Sequence, residues 1–146
     1  KQPVVGQQEP ALNVNNPDEA GQPSLHGIRA LVADDNSDLL ELLSDFLRRC
    51  GCSVDLATNG VEALSLAERT TPSIALLDIE MPTMDGYTLA LHLRDLPGWK
   101  DVPLVALTAH HERYRWDQAI EVGFTSYVTK PVDMAAVARL IARLCT

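Results

Sequence analysis

A set of polar residues stands at the ends of short apolar runs, and together they could handle a phosphoryl group. Asp34 and Asp35 close the run 28–33, Asp78 closes 74–77, Thr108 closes 104–107, and Lys130 follows 124–128. Carboxylates gathered at one place repel, each close pair by about 4 kcal/mol in partly solvated surroundings. A divalent cation relieves that repulsion. Oxygen-only donors, with no His or Cys at these positions, favour Mg2+ over zinc, with Mn2+ as a substitute. A carboxylate beside such an ion can act as a nucleophile and form an acyl phosphate. Asp78 is the candidate acceptor. Asp35 and Asp78 would hold the ion directly, Asp34 would hold it through water, and the backbone carbonyl of Glu80 would add an oxygen. The Lys130 ammonium and the Thr108 hydroxyl would meet the phosphoryl oxygens.

The elements that must position these groups are legible from periodicity. The run 28–33 is apolar apart from Arg29 and suits a buried parallel strand. Leu39, Leu40, Leu43, Phe46 and Leu47 then recur at helical spacing, with Asn36 or Ser37 as N-cap and Gly51 as the stop. Strands are expected at 54–57, 74–77, 104–107 and 124–128. Helices are expected from Val61 to about Arg69, over 87–96, over 111–122, and from the Asp133 cap to about Leu144. Asn59-Gly60 reads as a turn, 80–86 as a loop, and Asp85-Gly86 as a turn and helix start. A fivefold strand–helix alternation implies an α/β fold: a flavodoxin-like, doubly wound (βα)5 parallel sheet of order 2-1-3-4-5. In such a sheet, sites form beyond the carboxyl ends of the strands at the switch in winding, where the polar residues fall.

Taken singly, these signals are weak. Paired acids often only cap a helix, Lys-Pro is often a surface turn, and a strand-end Thr is common. Their joint appearance, each at an expected strand end, is the informative observation. The segments LVADDN (31–36), LLDIEMPTMDG (76–86), VALTA (105–109) and TKP (129–131) carry a further signal. From about Gly27 onward the chain resembles the receiver domain of two-component response regulators and hybrid sensor histidine kinases. PLVALTAHH and GFTSYVTKPVD are especially similar to receivers attached to hybrid kinases.

The resemblance implies that Asp34 and Asp35 are the acidic metal pair, Asp78 the phosphoacceptor, Thr108 the switch hydroxyl and Lys130 the family lysine. Tyr127 falls on the switch aromatic position, whose ring is implied to turn inward when the hydroxyl residue moves toward the phosphate, and the Lys130-Pro131 bond is expected to be cis. The implied donor is a phosphohistidine on a histidine kinase or histidine phosphotransfer domain, and the only implied activities are self-phosphorylation and autodephosphorylation. Glu80, two residues after the acceptor, is expected to tune the lifetime of the acyl phosphate.

The remaining sequence bounds these readings. With 20 acidic against 12 basic residues and a formal charge of -8, the chain offers no basic surface for nucleic acid. Cys50, Cys52 and Cys145 lack the spacing of a disulfide framework or a metal site, and Cys50 and Cys52 read as a helix end and a strand start. No membrane span or signal peptide is recognisable, so a cytoplasmic setting is expected, with a parent chain that could itself be anchored. Residues 1–26, with Pro3, Pro10, Pro17 and Pro23 and few large apolar side chains, read as a linker before a receiver at 27–146. The start at Lys1 points to a longer parent, a hybrid kinase ending in this receiver, with a stand-alone response regulator as the alternative. Competing functions are an aspartate-nucleophile phosphohydrolase, which would usually carry Asp where Glu80 stands, and a partner-binding pseudo-receiver. His110 and His111 read as solvated, partner-facing residues, and Trp99 as packing. Tyr114 and Trp116, two apart on one helix, cannot share a face.

Overall fold

Two inner strands, apolar up to their last residue, require cover on both faces, and the chain supplies it. The computed structural model describes residues 23–109 and 113–146. Its strands are β1 (Arg29–Ala33), β2 (Ser53–Ala57), β3 (Ile74–Asp78), β4 (Leu104–Thr108) and β5 (Ser126–Thr129). They alternate with α1 (Ser37–Arg49), α2 (Gly60–Arg69), α3 (Gly86–Arg94), α4 (Arg113–Glu121) and α5 (Met134–Cys145). All pairings are parallel, in the order β2-β1-β3-β4-β5. The expected doubly wound, flavodoxin-like sheet is the observed one.

Alternation along the strands sorts the core into two layers. Leu31, Ala33, Ala75, Leu77, Leu104 and Ala106 pack with α2 and α3. Ala30, Val32, Ile74, Leu76, Val105 and Leu107 pack with α1 and α5. Burying both layers stabilises the fold by roughly 2 kcal/mol per large side chain. Trp99 is fully buried, and its indole N–H donates to the Ala67 carbonyl at 3.3 Å. That is the packing role its sequence context suggested.

Side chains set the helix starts. Asn36 caps α1 by accepting from Asp38 N and Leu39 N, Asp85 caps α3 through Thr88 N, and Asp133 caps α5 through Ala136 N. Asn59-Gly60 proves to be a helix start rather than a free-standing turn. Asn59 accepts from Glu62 N, and Gly60 opens α2. A side chain at Gly60 would place its Cβ 2.9 Å from the Met84 Sδ, so the residue types there answer to packing. Helix α3 ends at Arg94, before the Pro97-Gly98 stop, because the Asp95 and Leu96 N–H groups already close its last turn onto His92 and Leu93. Cys50 caps α1, Cys52 sits just before β2, and all three cysteines are free thiols.

The expected linker lies mostly outside the described residues, as do His110 and His111. Near its end, Leu25 is fully buried, and its N–H donates to the Cys50 carbonyl at 2.8 Å. No helix among the described residues is long and apolar enough to cross a membrane.

Candidate functional site

Register explains why distant segments meet at the carboxyl rim. Asp34 continues the alternation of Ala30 and Val32, Asp78 that of Ile74 and Leu76, and Lys130 that of Val128. All three therefore leave their strands on the same side. Strand β3 is central in the sheet and brings Asp78 to the middle of the rim. The long lysine stem reaches inward from edge strand β5. Its Nζ lies 2.8 Å from Asp34 Oδ2 and 3.5 Å from Asp78 Oδ2.

Both buried carboxylates divide their oxygens in the same way. Asp34 Oδ1 accepts from Asn36 N at 2.9 Å, and Asp78 Oδ1 accepts from Glu80 N at 3.0 Å. Each is a local turn in which an Asp side chain bonds the backbone two residues on. The other oxygen of each faces Lys130. Asp34 Oδ2 is buried and has no hydrogen bond of good geometry, so the ion pair with the ammonium is what it has. Gly86 seats the end of β3. Its N–H donates to the Ile79 carbonyl at 2.8 Å, and a Cβ there would come within 2.5 Å of the Asp78 carbonyl oxygen. Between them, Thr83 holds φ at 73°, a left-handed conformation unusual for a β-branched residue.

The electrostatics follow from burial. Asp34 is fully buried and Asp78 only 4% exposed. Burial first, and the neighbouring Asp34 carboxylate second, push the Asp78 pKa up to about 7, against the Glu80 N–H and the Lys130 ammonium, which favour its charged form. For Lys130, burial disfavours the charge, but hydrogen bonding and attraction to Asp34 and Asp78 outweigh it and raise the pKa. One lysine thus serves two buried acids, and the cluster remains rich in negative charge.

A divalent cation fits that surplus. Asp34, Asp35 and Asp78 each offer an oxygen, and these oxygens all lie within 4.8 Å of one another. Opposed ligands of one Mg2+ stand about 4 Å apart, so this spread is on the scale of a single ion. The donor set is all oxygen, and among the described residues the three carboxylates share a single close ammonium, that of Lys130.

The other candidates take different places. Thr108 ends β4, pairs in register with Thr129, and accepts from Lys130 N through its carbonyl at 2.7 Å. Glu80, two residues after Asp78, has an exposed side chain. Tyr127 lies outside the acid cluster, 49% exposed as a residue, with its ring resting on Trp116. Asp85 is a helix cap. The Lys130-Pro131 bond is cis. Sequence reasoning did not single out Gly86 as a seat for Asp78 or the Trp116–Tyr127 contact. The Gly sits in a loop-like string, and the ring pair joins positions eleven residues apart on different elements.

A family model described as the response regulator receiver domain matches residues 30–142. The chain belongs to that family. The receiver domain is 41% identical over 115 residues to an uncharacterized 14.6 kDa protein of Leptolyngbya boryana, covering 79% of this chain and 88% of that one. It is 39% identical over 105 residues to response regulator PleD of Caulobacter vibrioides, covering 72% of this chain. Among solved structures it is similar to the receiver domain of sensor histidine kinase PA1611 from Pseudomonas aeruginosa, whose structure has a magnesium ion coordinated in the active site cleft. That likeness has a TM-score of 0.75 at 28% identity and covers 82% of this chain and 98% of that one. Several named relatives are much longer. The receiver domain spans 23% of PleD, 13% of the sensor histidine kinase CheAY of Helicobacter pylori and 48% of the transcriptional regulatory protein PrrA of Mycobacterium tuberculosis. It is therefore a receiver of two-component signalling, a class found in both kinases and regulators.

Proposed function

We propose that this receiver accepts a phosphoryl group on Asp78 from a phosphohistidine of a histidine kinase or histidine phosphotransfer domain. The observation that carries the reading is the buried Asp78 at the end of the central strand, sharing Lys130 with Asp34. An Asp78 oxygen attacks phosphorus, the phosphorus–nitrogen bond breaks, and the imidazole leaves with a proton. The product is an acyl phosphate, which water later cleaves.

Asp34, Asp35 and Asp78 would hold Mg2+, or Mn2+ in its place, with the Glu80 backbone carbonyl as a further oxygen. When bound, the ion supplies positive charge against the transferring phosphoryl oxygens. Lys130 meets the same oxygens from the β5 side, and its raised pKa keeps it protonated for that role. Thr108 donates its hydroxyl to the phosphorylated form, and Tyr127 follows. This shifts the α4–β5–α5 surface between two arrangements that a partner distinguishes. The Glu80 side chain sets how long the acyl phosphate lasts.

Residues 27–146 act as the receiver, with Leu25 seated in its core, and the residues before Leu25 act as its tether, in a cytoplasmic setting. The resemblance of 103–111 and 123–133 to hybrid-kinase receivers supports a hybrid sensor kinase as the parent, with a stand-alone response regulator as the alternative. A transmitter domain in the full-length gene supports that placement, and a DNA-binding domain after the receiver overturns it.

Acetyl phosphate with Mg2+ tests the chemistry directly. Intact-mass measurement should show one added phosphate on the wild type and none on Asp78→Asn. Phosphate on both proteins, or steady turnover of small phosphate esters, would reject Asp78 as the acceptor.

A further inference from the structure

Helix α4 is anchored at its carboxyl end. Gly123 ends it with φ at 109°, and the Gly123 carbonyl accepts from Arg94 Nη2 at 2.6 Å. Phe124 N bonds back to the Ala119 carbonyl at 3.0 Å, and the Phe124 ring stands edge-on to Tyr87 at 6.3 Å. Ala119 is buried, whereas Ile120 is 53% exposed. One turn before Ala119, Trp116 lays its indole against the Tyr127 ring of β5, with centroids 5.0 Å apart and planes tilted by 54°.

The strand positions around Tyr127 give this contact its meaning. Tyr127 pairs with Ala106, and Thr129 pairs with Thr108, so Tyr127 and Thr108 are diagonal neighbours on one face of the sheet. The residue beside the tyrosine on β4 is Ala106, so the strand neighbour between the ring and Thr108 is a small side chain. Yet the ring stays half-exposed, on the indole.

We infer that Trp116 is a positioning residue for the switch: its indole holds Tyr127 outward and so opposes the rearrangement that phosphorylation of Asp78 favours. This rests on the proposed roles of Asp78, Thr108 and Tyr127. A contact made in one of two states biases the equilibrium by its own strength. Aromatic pairs of this kind shift such an equilibrium by about twofold to tenfold. Uptake proceeds from the inward state, so its rate scales with the population of that state, and a contact that opposes the state slows uptake.

Two measurements test the inference. Trp116→Ala should take phosphate from acetyl phosphate about twofold to tenfold faster than the wild type, with Trp116→Phe in between. The gain should vanish when the same change is made in a Tyr127→Ala background, which a purely structural role of Trp116 would not produce. If Trp116→Ala folds poorly, Trp116→Leu serves in the same cycle. Second, acetyl phosphate with Mg2+ should change the tryptophan emission of the wild type but not of Trp116→Phe, where buried Trp99 is the remaining indole. A wild type that gains phosphate by mass while the Trp116 variants take it up at the wild-type rate and emission stays constant overturns the inference and leaves the acceptor reading intact. A wild type that gains none overturns both.

Discussion

Arg94 and Asp78 both carry charge into the molecule, at opposite rims of the same sheet, and they are partnered very differently. The Arg94 guanidinium donates to the carbonyls of Trp99 (2.6 Å), Lys100 (3.2 Å), Val102 (2.8 Å) and Gly123 (2.6 Å). It ties the loop before β4 to the turn before β5. Burial lowers its pKa, Asp101 works the other way, and the short bonds to backbone oxygen satisfy its charge. Asp78 has one backbone N–H and a 3.5 Å share of a lysine that sits closer to Asp34. The first arrangement is closed and serves stability. The second concentrates negative charge and costs stability, as expected of a site kept for the proposed cation and phosphoryl group rather than for the fold.

The largest expected effect tests the closed end. Arg94→Ala strips four carbonyls, three of them in part-buried bonds, of their donor and should lower stability by about 2–4 kcal/mol in urea melts. The folded fraction should still take one phosphate at Asp78. Loss of uptake in folded protein would show that the two rims are not separable.

At the open end the sign reverses. Asp78→Asn removes one of two crowded acids and should stabilise the metal-free domain by about 1–2 kcal/mol at neutral pH. A destabilised variant would mean that the site is already balanced. The pH dependence sharpens the point. The folded pKa of Asp78, about 7, lies above the ordinary value of 3.8 that it has when unfolded. Between those values the folded state holds the extra proton. The contribution of Asp78 to stability is therefore full below pH 3.8 and is lost as pH rises through about 7. The stability difference between Asp78→Asn and wild type should grow across that window in metal-free buffer, and saturating Mg2+ should shrink it. A difference that stays flat with pH would contradict the raised pKa.

Smaller effects come from the loop beside the acceptor. Thr83→Gly relieves a left-handed β-branched residue and should stabilise the domain by about 1 kcal/mol, readable as a higher melting temperature. Glu80→Ala should change the half-life of the acyl phosphate by about twofold or more in either direction, a barrier change of roughly 0.4 kcal/mol. An unchanged half-life removes Glu80 from the kinetics and leaves its backbone N–H as the part that matters.

Much of the fold was legible before any coordinates. The apolar runs ending at Ala33, Leu77 and Leu107 marked the buried strands, because a parallel sheet covered on both faces needs apolar side chains at both parities. Boundaries drifted where capping outweighed turn signals. Asn59-Gly60 opens a helix, and α3 stops at Arg94 although Pro97-Gly98 is the louder stop. Among the site residues, strand-end position pointed to Asp34, Asp78 and Lys130, which the structure gathers. It could not reveal that Tyr127 rests on Trp116, or that Gly86 packs its backbone against Asp78.

The sequence by itself determined the alternation of elements, the face each strand residue takes, and the residue types at the carboxyl rim. These depend on periodicity and caps, which act over a few neighbouring residues. Only the tertiary structure decided that Asp34 Oδ2 lacks a good hydrogen bond, that Lys130 sits nearer Asp34 than Asp78, and that Arg94 is caged by carbonyls. Desolvation and charge coupling depend on distances between segments far apart in the chain, and those distances exist only once the sheet has closed.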